Sequence, residues 1–305
     1  MKKILFAYDG TPGAILAMRG TVRAGLPISV EARVLTIADV WLPPIAPVAD
    51  PLAMQPSLVV ARENAESILR EARERATEGA HLLHELFPSW TITSSAIPDS
   101  PTWAITAEAR RWGADMIVVG SHGRSSLERF FLGSVSYKVA AEASCSVRIV
   151  RPADRPEHRG VRVMIAVDGS EDGQRAVEEA LERRWSSRAE LHLVTVIDPK
   201  VKGSVAGKHF EFGQGLDRVE DSLKPMLDSL AAKFEENEME VYIHILEGDP
   251  KHALLRHAEV HDVDVIFLGA RGLDHGKRLY LGTLASAICT RAHCTVEVVR
   301  SAQHG

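Results

Sequence analysis

The sequence is poor in cysteine and has no long uninterrupted apolar segment. Its 305 residues contain three cysteines and no Cys-x-x-Cys pair, so no disulfide framework is indicated. No stretch reaches the ~18 apolar residues that a membrane helix requires, and the best candidate, 40–49, contains three prolines. The basic start followed by the short apolar run 4–7 predicts a first strand rather than a secretion signal. We therefore expect a cytoplasmic protein without a membrane partner.

An excess of basic residues is also missing. The formal net charge is −5 at pH 7, and neither half of the chain is rich in Lys and Arg. Because nucleic-acid binding proteins usually carry a basic patch, we predict no nucleic-acid partner. With 45% hydrophobic and 25% charged residues the composition is that of a globular protein. The length suffices for two domains.

Several common catalytic motifs are missing as well. The sequence has no GxxxxGK[ST] phosphate loop, no GxGxxG after the first predicted strand, no GxSxG elbow and no HExxH. A dedicated NTPase, dehydrogenase, hydrolase or metalloprotease is therefore not indicated.

What the chain does contain is an internal repeat of a whole domain. The segment 3–11, Lys-Ile-Leu-Phe-Ala-Tyr-Asp-Gly-Thr, returns at 162–170 as Arg-Val-Met-Ile-Ala-Val-Asp-Gly-Ser. Deeper in each copy, Ala-Asp-Met-Ile-Val-Val-Gly matches Val-Asp-Val-Ile-Phe-Leu-Gly. Such self-similarity predicts two domains, 1–152 and 161–301, joined by a polar linker at 153–160.

Short apolar runs alternate with helical patterns within each copy. A helix is predicted at about 57–86, its counterpart in copy two spans 219–234, and the Pro-rich segment 41–56 is predicted as a surface loop. This alternation is typical of βαβ units in a parallel sheet. After the first strand, the predicted strands of copy one are 34–38, 91–97, 116–120 and 147–150.

Two glycine-rich loops carry the strongest functional signal. Residues 120–134 and 269–283 both follow G-x2-G-x9-G-[ST], between a strand and a helix. Glycines allow positive φ and close approach to a ligand, successive amides form an anion nest, and the amino end of the helix, which Ser134 and Thr283 could cap, attracts negative charge. A phosphate site in each copy is predicted, and the alternative is a tight turn. The mobile positive charges of these loops are Arg124, Arg129, Arg271, Lys277 and Arg278.

Asp9 and Asp168 end the first strands of the two copies and are further candidates. At the carboxyl edge of a doubly wound sheet, a carboxylate could accept hydrogen bonds from ribose hydroxyls or hold a metal beside phosphates. The alternative for Asp9 is an N-cap of a helix that begins near Pro12. His122, inside the first loop, is either a phosphate contact or a turn residue.

These features resemble the universal stress protein family, in its ATP-binding branch. The resemblance rests on the Asp-Gly-[Ser/Thr] ends of the first strands, on the glycine motifs, and on the Ala-x-Cys-x-Val segments that begin at 143 and 292. It covers both halves. The implied fold is α/β, with two tandem Rossmann-like domains of the adenine nucleotide alpha hydrolase type. Each domain would be a five-stranded parallel sheet in the order 3-2-1-4-5 with helices on both faces.

The resemblance also implies ATP, with or without Mg²⁺, between the Asp loop and the glycine loop of each copy. Leu284 replaces the usual valine, and Asp274 adds a carboxylate to the second loop, so the second copy departs further from the family pattern. Taken with the loop residues His122, Arg124 and Arg271, the expected nucleotide-binding positions are Ala7, Asp9, Ile37, Gly120, Gly123, Gly133, Ser134 and Val135 in copy one, and Ala166, Asp168, Val196, Gly269, Gly272, Gly282, Thr283 and Leu284 in copy two.

The expected function is therefore regulatory: a cytoplasmic, ATP-binding protein of the stress response, with at most weak ATP hydrolysis and no catalytic residue. One alternative is an enzyme of the same fold, a slow ATPase or nucleotidyl transferase, in which only His122, Asp274 or His275 could act as the base. Another is a scaffold that binds no nucleotide and acts through its edge strands.

The remaining histidines and cysteines are predicted to be structural. His252, His257 and His261 lie near one helix, but their spacings of five and four do not place all three on one face, so no metal site is predicted. Cys289, with the His293-Cys294 pair, is typical of buried core thiols.

The final strands, 147–150 and 296–299, are predicted to pair with each other, because each would otherwise end its sheet with unpaired backbone groups. A homodimer through other surfaces stays open, and no downstream protein partner is indicated.

Overall fold

Strands and helices alternate through most of the described residues, as the apolar patterns predict. A computed structural model describes residues 1–40, 56–121, 132–152, 159–198, 204–205, 208–209, 216–272 and 281–300. The first half contains β1 (Lys2–Ala7), α1 (Pro12–Gly20), a short 3-10 helix (Val22–Ala24), β2 (Val30–Ala38), α2 (Pro56–Leu86), β3 (Thr91–Pro98), α3 (Pro101–Trp112), β4 (Met116–Gly120), α4 (Ser134–Glu142) and β5 (Ser146–Val150).

In its described residues the second half repeats this order without the 3-10 helix and with one small addition, a hairpin of two two-residue strands. It contains β6 (Arg162–Ala166), α5 (Glu171–Leu181), β7 (Glu190–Ile197), β8 (Ser204–Val205), β9 (Lys208–His209), α6 (Leu216–Glu235), β10 (Glu240–Glu247), α7 (Pro250–Val260), β11 (Val265–Gly269), α8 (Thr283–Arg291) and β12 (Thr295–Val299).

Ten strands form one sheet in the order β10-β7-β6-β11-β12-β5-β4-β1-β2-β3. Within each half all neighbouring strands are parallel. Counted within its own half, each set of five strands has the order 3-2-1-4-5 that the resemblance implies. β8 and β9 pair apart from this sheet as an antiparallel hairpin.

Helices cover both faces of the sheet. On one face α3, α4, α7 and α8 pack over both halves in a single apolar core. On the other face α1 and α2 cover the first half, and α5 and α6 cover the second. Side chains alternate between the two cores along β1, where Leu5 faces the first and Phe6 the second, as strand geometry requires.

The long helix α2 shows how the sequence pattern becomes packing. Its buried residues keep the 3–4 spacing of a helix whose single apolar stripe faces the sheet, and its bounds agree with the predicted 57–86. The predicted loop at 41–56 lies outside the described residues except for Pro56. Among the helix residues whose burial is described, the buried positions are Ala65, Leu69, Ala72, Ala76, Gly79 and Leu83.

The two halves join through β5 and β12, which pair antiparallel with Arg148 opposite Glu297. The predicted pairing of the final strands is thus confirmed within one chain. We call this junction the β5–β12 seam. Every residue of both strands is buried, so the seam is part of the interior rather than a contact between two surfaces.

A buried ion-pair network crosses the seam. The Glu297 carboxylate accepts hydrogen bonds from Arg148 Nη1 (2.7 Å) and from Arg183 Nη2. Arg183 also donates to Glu179 (2.7 Å), which is in turn bonded to Lys2. Lys2 and Arg148 belong to the first half and the other three residues to the second, so charges from both halves compensate one another in the interior.

The connection between the halves is only partly described. Of the predicted linker 153–160, Arg159 and Gly160 are within the described residues. Arg159 Nη2 donates to both carboxylate oxygens of Asp264 (2.8 and 2.9 Å), and its carbonyl accepts from Arg23 (2.6 Å). The end of the linker is therefore bonded to both halves.

Residues 1–152 produced alone should self-associate, because without β12 the backbone groups of β5 lie unpaired at the edge of the sheet. Val147→Pro should reduce this association, since proline removes an amide donor and disturbs the strand ladder. Analytical ultracentrifugation at tens of micromolar measures it. A folded monomer under these conditions would contradict the expectation.

None of the described helices combines the length and the apolar character needed to cross a bilayer.

Candidate functional site

A cavity of about 590 Å³ lies beyond the carboxyl ends of β1, β2 and β4. Its walls come from these strand ends, from α2, and from the first turns of α3 and α4. The structure brings seven of the predicted positions together around it. They are Ala7, Asp9, Ile37, Gly120, Gly133, Ser134 and Val135.

Gly120 allows the strand end to approach a helix closely. A Cβ atom at this position would lie 2.6 Å from the Gly13 carbonyl oxygen in the first turn of α1. At Gly269, the equivalent of the second half, a Cβ would lie 2.7 Å from the Gly173 amide nitrogen of α5. Contacts this short exclude every other residue without a backbone shift, so these two glycines set the narrow space between strand and helix.

Both glycine loops are closed at their base by a backbone hydrogen bond. Gly133 donates to the Ser121 carbonyl (2.7 Å), and Gly282 donates to the Ala270 carbonyl (2.8 Å). The middle of each loop, 122–131 and 273–280, lies outside the described residues. The predicted positions there are His122, Gly123, Arg124, Arg129, Asp274, His275, Lys277 and Arg278.

The amino ends of α4 and α8 differ from the prediction in one respect. Ser134 and Thr283 were expected to be able to cap these helices, but Gly133 and Gly282 occupy the N-cap positions. No described side chain caps either helix, and Ser134 and Thr283 are exposed first residues of the helices. Helix amides without a cap bind water or an anion.

The capping alternative for Asp9 is wrong, and the reason is the same in both halves. The N-cap of α1 is Thr11, whose hydroxyl accepts from the Ala14 amide (3.3 Å). Asp9 Oδ1 instead accepts from the Thr11 amide (3.1 Å) and hydroxyl (2.6 Å). The carboxylate thus holds the residue that caps the helix.

The second half repeats this arrangement with Asp168 and Ser170. Asp168 Oδ1 accepts from the Ser170 amide (2.9 Å) and hydroxyl (2.6 Å). Ser170 caps α5 by accepting from the Gly173 amide (3.0 Å). In both halves the described hydrogen bonds of the aspartate use Oδ1.

Arg271 is held more firmly than predicted. It was expected to carry mobile positive charge, but its guanidinium pairs with the Asp172 carboxylate at 2.8 and 3.1 Å. The hydrogen bond to Asp172 raises the pKa of Arg271. In the first half Gly13 stands at the position of Asp172, and His122 at that of Arg271. This ion pair is therefore specific to the second half.

The other predicted positions of the second half lie at the carboxyl ends of β6, β7 and β11, in the loop after β11, and at the start of α8. A Cβ at Gly272 would lie 2.9 Å from Asp168 Oδ2, so the start of the glycine loop rests on that carboxylate. Ala166, Val196 and Leu284 pack on the core shared by both halves. They match Ala7, Ile37 and Val135, which pack on the same core in the first half.

Sequence reasoning missed the contribution of α2 to the cavity. Glu71 and Arg75 line its wall together with Tyr8, and Arg75 Nη2 donates to Glu71 (3.1 Å). Burial raises the pKa of Tyr8, and Glu78 and Asp9 raise it further. The sequence contained a signal for this contribution. Ile68, Glu71 and Arg75 are three and four residues apart, so they lie along one line of the helix beside the apolar stripe of α2.

The described cysteines are buried thiols, none of them in a disulfide. Burial raises the pKa of Cys145 and of Cys289 to about 12 in each case. Thiols with so high a pKa are protonated at neutral pH and are therefore poor nucleophiles.

His252 is exposed on α7, whereas His257 is buried, so the three histidines of this helix do not share one face, as expected.

Two α/β halves, each with a glycine motif at the carboxyl edge of its parallel sheet, place the chain in the doubly wound class of folds. The model of the Universal stress protein family matches residues 1–151 and 161–300. The chain belongs to this family and carries its domain twice.

Known relatives agree with this assignment. A universal stress protein of Mycolicibacterium smegmatis is 24% identical over 303 residues, which cover 97% of this chain and 96% of the relative. Universal stress protein YxiE of Bacillus subtilis is 25% identical over 145 residues, 46% of this chain and 98% of the relative. The crystal structure of a universal stress protein from Archaeoglobus fulgidus has the same fold, with a TM-score of 0.65, 19% identity and 98% of both chains covered.

Proposed function

We propose that the protein binds ATP as a regulatory ligand in the cavity of the first half. The observation that carries this proposal is the meeting of seven predicted nucleotide positions around one cavity at the carboxyl edge of the sheet. Its volume of about 590 Å³ lies within the range of small-molecule sites, roughly 300–1,000 Å³.

The nucleoside end of ATP would lie between β1, β2 and α4. Ala7, Ile37 and Val135 provide apolar surface for an adenine ring. Asp9 is bonded to Thr11 through Oδ1, so Oδ2 would accept hydrogen bonds from the ribose hydroxyls. Because Thr11 fixes the carboxylate, binding would require little ordering of this side chain.

The triphosphate would extend toward the amino end of α4. No described side chain caps this helix, and the exposed hydroxyl of Ser134 is next to its first amides. The loop that follows Ser121 would supply further amides and the Arg124 charge. Mg²⁺ would accompany the phosphates, with carboxylate oxygens of Asp39 or Glu71 as ligands on the cavity wall.

A regulatory role fits the chemistry of the wall better than catalysis does. The described lining residues include no histidine and no cysteine, and the Asp9 carboxylate is engaged by Thr11. A phosphoryl-transfer enzyme needs a positioned base or nucleophile beside the phosphates. As part of the proposal we place the protein in the cytoplasm, in a stress response, where its buried thiols would stay reduced.

ATP should bind the full chain saturably, and Asp9→Ala should weaken the first site by about 1–3 kcal/mol, the range for a lost charge-assisted hydrogen bond. The unfolding free energy should fall by about 1 kcal/mol or less, since Thr11 still caps α1. Calorimetric titration and thermal melts with and without ATP measure the two effects.

Asp168→Ala is the matched control, because Asp168 makes the equivalent bonds in the other half. It should leave the affinity of the first site unchanged. The proposal fails if wild-type protein shows no saturable ATP binding, or if Asp9→Ala binds ATP as wild type does. Phosphate release measured on the same samples tests for hydrolysis directly.

A further inference from the structure

Four histidines of the second half meet at a place remote from the glycine loops. His192 comes from the start of β7 and His244 from β10, the edge strand beside it. His257 lies in the last turn of α7, and His261 is the C-cap of that helix. One sheet edge and one helix end therefore contribute two histidines each.

The four rings are in mutual contact. All six pairs of ring centroids lie between 4.1 and 5.5 Å apart. His192 Nδ1 and His244 Nε2 are hydrogen-bonded at 3.1 Å. His192, His257 and His261 each offer one ring nitrogen within 4.8 Å of the other two, a separation that a small shift of the side chains reduces to the spacing of ligands around one ion.

Two of these rings contain a buried nitrogen atom that has no hydrogen-bond partner. His192 is 4% exposed and His257 is 7% exposed, and Nε2 of each is without a partner. Buried polar atoms in folded proteins are nearly always paired, and those that are not require an explanation such as an absent water or ion. Here the unpaired atoms belong to the side chain that most often binds transition metals.

The charge environment is compatible with a cation. The carbonyl end of α7 adds partial negative charge. Arg162 is close, but its charge is balanced by Glu190 at 2.9 Å.

We propose that His192, His257 and His261 bind one divalent transition-metal ion of the zinc class, with His244 orienting the His192 ring through its hydrogen bond. Imidazole ligands favour Zn²⁺, Cu²⁺ and Ni²⁺ over Mg²⁺ and Ca²⁺. Three protein ligands leave a fourth coordination position for water or another small ligand. The ion would also fasten the edge strand β10 and the neighbouring β7 to α7.

The test uses the full chain without an affinity tag. Calorimetric titration with Zn²⁺ should give one ion per chain, and Co²⁺ should give the visible absorption bands of a four-coordinate site. The double variant His257→Gln/His261→Gln should lose this ion. His244→Gln should keep the stoichiometry but weaken the affinity by about 10–100-fold, as expected for a residue that orients a ligand.

His252→Gln is the matched control, because His252 is an exposed histidine of the same helix and should not affect binding. Circular dichroism checks that each variant is folded. If the double variant does not fold, the single variant His261→Gln serves as the test of metal binding. Because this ring is only half-buried, its replacement should leave the fold intact. The proposal is overturned if wild-type protein binds neither ion saturably, or if the decisive variant binds both as wild type does. In that case the four rings are stacked for packing only.

Discussion

Glu297→Gln should lower the unfolding free energy of the full chain by about 3–5 kcal/mol, the usual effect of removing one partner of a buried ion pair. Glu297 is fully buried in the β5–β12 seam between Arg148 and Arg183. Without its negative charge, the Arg148 guanidinium would remain buried and uncompensated, while Arg183 would keep Glu179. Urea denaturation followed by circular dichroism measures the loss.

The control replaces the three central charges together, as Arg148→Met, Arg183→Met and Glu297→Leu. Apolar side chains of similar volume often substitute for a buried ion network at little cost, so this variant should be clearly more stable than Glu297→Gln. A loss of less than ~1 kcal/mol in the single variant, the value of a surface pair, would show that the network contributes little.

Lowering the pH should also reveal the contribution of Glu297 to the stability of the fold. Burial raises the pKa of Glu297, but Arg183 and Arg148 outweigh burial and hold the pKa below its ordinary value of 4.5. A depressed pKa in the folded state gives stability that is fully present above the ordinary value and is lost as the pH falls through the folded pKa. Wild type should therefore lose more stability below pH 4.5 than Glu297→Gln does.

Val135→Trp should reduce the ATP affinity of the first half by on the order of 100-fold, or about 3 kcal/mol. Val135 is half-buried in the first turn of α4 and lines the cavity with Ala7 and Ile37. An indole at this position would occupy the space proposed for adenine. Because one side of the residue faces the cavity, the fold should tolerate the larger side chain.

Leu284→Trp is the matched change in the second half, since Leu284 occupies the equivalent position in α8. Calorimetry on the two variants assigns each bound nucleotide to its half. Unchanged affinity and stoichiometry in Val135→Trp, with an unaltered melting curve, would place ATP elsewhere.

The parts of the fold with local signals could be predicted from the sequence. β4 was predicted at 116–120 and found there, because a central parallel strand is buried on both faces and contains a continuous apolar run. α2 was predicted from a stripe that only a helix can bury on one side. The pairing of β5 with β12 followed from the repeat, because two equal edge strands in one chain can satisfy each other, whereas its antiparallel direction was not predicted.

The parts that depend on distant residues could not be predicted. Asp9 was weighed as a cap from its position alone, whereas the cap depends on whether Thr11 turns its hydroxyl toward the Ala14 amide. The Arg271–Asp172 pair joins residues about a hundred positions apart. His192 and His244 come close to α7 only because of the strand order. The sequence of that helix alone therefore contains only His257 and His261, two of the four clustered histidines.

The antiparallel seam also determines where the two glycine motifs open. Because β5 and β12 run in opposite directions, the strands of the first half point toward one rim of the ten-stranded sheet and those of the second half toward the other. The two glycine motifs therefore lie at opposite rims of the sheet. Each rim of the sheet therefore combines the carboxyl ends of the strands of one half with the amino ends of the strands of the other half.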